Sequence, residues 1–76
     1  MLTKWEEVIG RNINDKEYAY ALMRFESLTD MQLRNRAFKI TNLIKLEAFR
    51  QVCFDHGAKE LEQLCREKLD FMMFDK

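Results

Sequence analysis

Proline is absent from this sequence, glycine occurs only as Gly10 and Gly57, and valine is scarce. With so few breakers and β-branched residues, sheet is disfavoured, and no stretch alternates apolar and polar residues for long enough to make a strand. Two isolated glycines also leave no glycine-rich loop to cradle a phosphate. No apolar run approaches the roughly 18 residues of a membrane span. The opening Met1-Leu2-Thr3-Lys4-Trp5-Glu6-Glu7 lacks the basic flank and apolar block of a signal peptide. The expectation is therefore a cytoplasmic chain with no membrane contact. Two cysteines, Cys53 and Cys65, are too few for a disulfide scaffold, in keeping with a reducing compartment.

Net charge is also missing: 13 basic side chains balance 13 acidic ones. That balance argues against a chain dedicated to charge-driven nucleic-acid binding, but not against a local basic face. The charges are unevenly spread. Residues 31–50 hold five cations (Arg34, Arg36, Lys39, Lys45 and Arg50) against the single carboxylate of Glu47, a net of +4. The segments on either side are acidic.

What is present favours one helical domain over residues 1–76. The chain is 47% apolar and 34% charged, too hydrophobic for a disordered segment. Its abundant Leu, Met, Glu, Lys, Arg and Gln are good helix formers. Thr3 followed by Glu6, Asn14 by Glu17, and Thr29 by Gln32 are three candidate capping boxes. They predict helices over about 3–10, 15–27 and 30–55, and a fourth follows Gly57 over about 58–73. Gly10 and Gly57 are the expected stops. Glu62 and Arg66, one turn apart, are expected on the wet side of the fourth helix. The fold class that follows is all-α, a small bundle of three to four helices with a long central third helix.

That third helix carries two apolar stripes. One holds Leu33, Ala37, Ile40, Ile44, Ala48 and Val52; the other holds Phe38, Leu46, Phe49 and Cys53. A helix apolar nearly all round is central in its bundle or is covered by a second chain. A straight helix over 30–55 would run roughly 39 Å, against a diameter near 30 Å for a compact chain of this length. Overhang of that size predicts either a kink or a homodimer, and the homodimer is the preferred expectation. Phe71, Met72, Met73 and Phe74 add a second candidate surface, since four successive helical positions cannot all face one core. Phe38, Leu46, Phe49, Phe71, Met72, Met73 and Phe74 are thus the residues expected at a protein or dimer interface.

Candidates for chemistry are few. Cys53, His56 and Cys65 come closest to a metal or thiol site, but zinc needs a fourth ligand, which Asp55 or Glu60 would have to supply. A thiol nucleophile needs a base, an orienting group and a pocket. The simpler reading is two buried free cysteines and a histidine at a helix end. Neither an enzyme, a cofactor nor a metal is expected. The leading expectation is a small non-enzymatic regulator, an inhibitor or adaptor that occupies a surface on a larger protein target. The alternative is a small DNA-binding regulator using the basic face of the third helix. There Asn35, Arg36 and Lys39 share one side and Arg50 continues it. Arginine and asparagine read base edges, and lysine contacts phosphate.

Overall fold

The computed structural model describes residues 15–74, excluding the side chains of Met73 and Phe74. The predicted helix over 3–10, its stop at Gly10 and the capping boxes that begin at Thr3 and Asn14 lie outside the described residues. Among those described there are four helices and no strand: α1 (Asp15–Ser27), α2 (Asp30–Lys39), α3 (Leu43–Asp55) and α4 (Lys59–Phe74). This is the small all-α bundle that the composition predicts.

Two helix boundaries form by the local chemistry expected of them. Thr29 and Gln32 make a complete capping box: the Thr29 hydroxyl accepts from the Gln32 amide at 3.3 Å, and the Thr29 amide donates to Gln32 Oε1 at 3.0 Å. After α3, Gly57 takes a left-handed φ of 74°. The Ala58 amide donates to the Cys53 carbonyl at 2.8 Å, and the Gly57 amide to that of Phe54 at 3.3 Å. This doubly bonded stop satisfies carbonyls the helix leaves over. Only glycine adopts that backbone without strain.

The long third helix is not formed as one piece. Residues 40–42 interrupt it, and the chain restarts at α3. Ile40 and Asn42 both have extended ψ angles, and the Asn42 side chain accepts from the Lys45 amide at 3.0 Å. Asn42 is therefore an N-cap, which stabilises a new helix start by about 1 kcal/mol. A second stabilisation comes from far along the chain. The Lys68 ammonium of α4 donates to the carbonyls of Ala37, at 3.0 Å, and Phe38, at the unsatisfied C-terminal end of α2. Burial of that ammonium shifts its pKa down.

The break resolves the overhang. The molecule measures 30 × 24 × 21 Å, so none of the described helices has to project beyond its neighbours. It also resets the helical phase, so the two stripes read along a continuous helix no longer describe the surface. α3 lies between α1 and α4, and α2 packs on α4. With neighbours on both sides, α3 buries Leu46, Ala48, Phe49, Val52 and Cys53, and α4 contributes Leu61, Cys65 and Leu69 at helical spacing. Each large side chain so enclosed contributes on the order of 1.5–3 kcal/mol.

This corrects part of the expected interface. Leu46 and Phe49, at 0% and 1% exposure, are core residues covered by the chain's own helices. They require no second subunit. Phe38 and Phe71 do remain out, at 64% and 63% exposure, whereas Met72 is half-buried against the core. The side chains of Met73 and Phe74 lie outside the described residues.

Candidate anion-binding groove

The described arginines fall into two groups. Three are engaged by carboxylates: Arg34 with Glu60 at 2.8 Å, Arg66 with Glu62 at 3.8 Å, and Arg50 with both Glu47 and Glu62. The Arg50 set is the most enclosed. Its Nε donates to Glu47 Oε1 at 2.7 Å, its Nη2 to the same oxygen at 2.5 Å, and its Nη1 to Glu62 Oε2 at 3.0 Å. Glu47 is fully buried and the Arg50 side chain is 13% exposed. Burial alone would lower the Arg50 pKa. The hydrogen bonds and charges of Glu47 and Glu62 more than offset it, and the guanidinium ends up held above its usual value.

Arg50 is therefore not on the basic face where its place in the sequence suggests it. Glu62 is likewise drawn inward by Arg50 rather than lying on the wet side of α4, with only 12% of its side chain exposed.

The other group lines an open groove of about 560 Å³. Arg24 comes from α1 and Leu28 from the turn after it; Gln32, Asn35, Arg36 and Lys39 from α2; Ile40, Thr41 and Asn42 from the α2–α3 connection; and Lys45 from the first turn of α3. Among the described residues, four cations line this groove and no carboxylate does. None of the four forms an ion pair with a carboxylate among the described residues.

Tyr20 organises three of them. The guanidinium carbons of Arg24 and Arg36 stand 5.3 and 5.5 Å from its ring centroid, and the Lys45 ammonium stands 5.9 Å away. These distances suit cation–π attraction, which holds like charges near one another without a carboxylate. Arg24 also donates to the phenol oxygen, from Nη2 at 3.1 Å and Nε at 3.3 Å. The Arg24 hydrogen bonds first, and the neighbouring Arg36 guanidinium second, favour the phenolate and lower the Tyr20 pKa. Glu17 stands at an adjoining crevice shared with Tyr20, Arg36 and Lys45. Arg36 Nε is enclosed and has no hydrogen-bond partner among the described residues.

Backbone adds to the same field. The N-terminus of α3 opens at the groove, through Asn42 and Lys45. Its first turn carries no acidic residue, whereas α1, α2 and α4 each have at least one there. The positive end of the α3 dipole is thus left for an external anion. The caps also orient two amides. Gln32 and Asn42 use their oxygens on backbone amides, so their NH2 groups are the atoms left for a ligand.

Of the residues expected at a nucleic-acid surface, Asn35, Arg36 and Lys39 meet in this groove and Arg50 does not. Tyr20, Arg24 and Lys45 were not among them. The Tyr20–Arg24 spacing, one helical turn, is the signal the sequence holds for that pair.

The candidate chemical residues lead elsewhere. Cys53 and Cys65 are free and buried, and the Cys65 thiol is pushed far above its usual range, first by a hydrogen bond with Cys53 and then by burial. His56 turns away, with Nδ1 2.9 Å from the Val52 carbonyl and its ring 5.2 Å from that of Phe25. No group of three or more His, Cys, Asp or Glu among the described residues could hold a metal ion. No described helix is long and apolar enough to cross a membrane. No known protein family matches the sequence, and neither a curated protein nor a solved structure matches it.

Proposed function

We propose that this chain is a small non-enzymatic regulator that acts by laying its basic groove against an anionic surface of a larger macromolecule. One observation carries the reading. In a chain of zero net charge, the described residues gather four cations and no lining carboxylate at the groove, while their remaining arginines are paired off. Assembling like charges is unfavourable unless something offsets it. Tyr20 offsets part, and a bound anion would offset more. A binding role also suits the state of the Cys65 thiol. A protonated, enclosed cysteine is a poor nucleophile.

The test is retention on a sulfated polysaccharide column at low salt. The wild-type chain is expected to bind and to elute as salt rises, and the triple variant Arg36→Ala, Lys39→Ala, Lys45→Ala to flow through. A wild-type chain that is not retained and binds no other polyanion defeats the proposal.

A second reading, self-association or docking to a protein target through apolar contacts, is favoured by the outward aromatics. Phe38 and Phe71 are both well exposed, and Met31 of α2 is 75% exposed. The corresponding readout is solution mass by light scattering. A value near 9.2 kDa at high micromolar concentration eliminates the homodimer.

A further inference from the structure

The groove's donors and acceptors are not balanced, and the imbalance narrows the ligand. Arg24, Arg36, Lys39 and Lys45 only donate. Gln32 and Asn42 have their oxygens fixed on helix-cap amides, leaving NH2 groups. The α3 N-terminus presents the positive end of its dipole. The matching ligand is rich in acceptors along its whole length. A phosphodiester chain is such a ligand: each phosphate offers charged oxygens that suit the planar fork of arginine, and base edges add further acceptors. An acidic peptide offers carboxylates, but its backbone also brings N–H donors, for which most of this lining has no acceptor.

Shape decides between a duplex and a single strand. Duplex readers of the helix-turn-helix kind insert a recognition helix into the major groove. Here the groove cations are divided among three helices, Arg24 on α1, Arg36 and Lys39 on α2 and Lys45 on α3, rather than carried on the face of one recognition helix. Among the described residues the groove is an open depression lined from α1, α2, their connections and the start of α3. Single-strand binders use such a basic trough with an aromatic side chain beside it, and Tyr20 supplies the aromatic.

We infer that the groove binds a short run of single-stranded nucleic acid, its phosphates held by Arg24, Arg36, Lys39 and Lys45. The inference rests on the proposed working surface and goes further by naming the ligand.

The test is fluorescence anisotropy of the full-length chain with a labelled, mixed-sequence single strand of about 12 nucleotides, within the usual site sizes. Four phosphate contacts predict a slope of log affinity against log salt near −3, so affinity should fall about fifty-fold between 50 and 200 mM salt. Lys39→Ala and Lys45→Ala should each reduce the slope by about 0.7. Lys39→Arg should restore most of it. Arg34→Ala and Arg66→Ala, outside the groove, should leave it unchanged, with helix content by circular dichroism confirming that every variant folds. Three results overturn the inference: no anisotropy change at low salt, binding indifferent to the groove substitutions, or tighter binding of the matching duplex. A poly-glutamate probe and the polysaccharide column separate the two levels. If either polyanion binds in a groove-dependent way and the oligonucleotide does not, the nucleic-acid assignment falls and the anionic-surface reading stands. If none of the three binds, both fall.

Discussion

Arg36 and Arg50 belong to one basic run of the sequence, yet they inhabit opposite kinds of environment. Arg50 is locked between Glu47 and Glu62 in the α3–α4 interface. Arg36 shares a solvent-facing groove with three other cations and leans on Tyr20. The first arrangement fixes how two helices meet. The second leaves positive charge uncompensated at the surface. The same side chain is architectural where carboxylates surround it and available to a ligand where they are absent. The comparison teaches that a basic face cannot be inferred from a count of basic residues; it depends on where the chain's carboxylates end up.

The comparison can be broken most directly at Arg50. Arg50→Ala removes the guanidinium that meets the buried Glu47 carboxylate at 2.5 and 2.7 Å. The expected loss is about 3–5 kcal/mol of stability, read by urea denaturation. Replacing both partners, Glu47→Met with Arg50→Met, should recover most of it, because no buried charge remains unpaired. A double variant as unstable as the single one would mean that the pair does more than satisfy itself.

Smaller effects belong to the helix break that creates the groove. Asn42→Ala removes the cap on Lys45 and should cost about 1 kcal/mol. It should also release the Asn42 amide from the groove. If stability is unchanged, the break is held by Lys68 rather than by the cap. Smallest of all are the groove cations themselves. Lys39→Ala and Lys45→Ala should change stability by no more than about 0.5 kcal/mol, the range for exposed positions without a special role. A large loss there would place these lysines with Arg50, as structural charges.

The two tyrosines sharpen the contrast without moving any charge by mutation. Tyr18 donates to Asp55 Oδ2 at 2.5 Å, and that hydrogen bond holds its pKa above 10.0, whereas the groove lowers that of Tyr20 below 10.0. Phenolate absorbance should therefore rise in two steps on either side of pH 10, and Tyr18→Phe should leave only the lower one. The linkage signs are opposite. Tyr18, with its raised folded pKa, stabilises the fold below pH 10 and loses that contribution as pH rises through its folded value. Tyr20, with its lowered pKa, contributes above pH 10 and loses that contribution as pH falls through its folded value. Ionised Tyr20 also adds a negative charge beside the groove, so oligonucleotide affinity should decline as the lower step is crossed.

Much of the architecture was legible beforehand because its causes are local. Absent proline, good helix formers, the Thr29–Gln32 box and Gly57 predict helical segments and two of their boundaries from neighbouring residues alone. Apolar spacing likewise marks Leu61, Leu64, Cys65, Leu69 and Met72 as one side of α4, of which Leu61, Cys65 and Leu69 are buried and the other two half-buried. The break at residues 40–42 was harder to see. Asn42 is followed by Lys45, not by the Glu or Gln that completes a capping box, and the apolar pattern runs on through Ile40 and Leu43. Part of what stabilises the break, the Lys68 ammonium on two α2 carbonyls, arrives from about thirty residues away. Treating 30–55 as one helix then placed Leu46 and Phe49 on an uncovered stripe and Arg50 on the basic side.

The amino-acid sequence by itself determined that this chain is helical and where most helices start and stop, because propensity, capping and the glycine stop act over one or two turns. It also determined that a basic stretch lies between acidic ones. Only the tertiary structure decided which of those cations would be consumed and which would remain. That choice depends on the distance between side chains on different helices. Folding α4 against α3 and α2 brings Glu62 to Arg50 and Lys68 to the end of α2, while α1 brings Tyr20 and Arg24, but no lining carboxylate, to the groove.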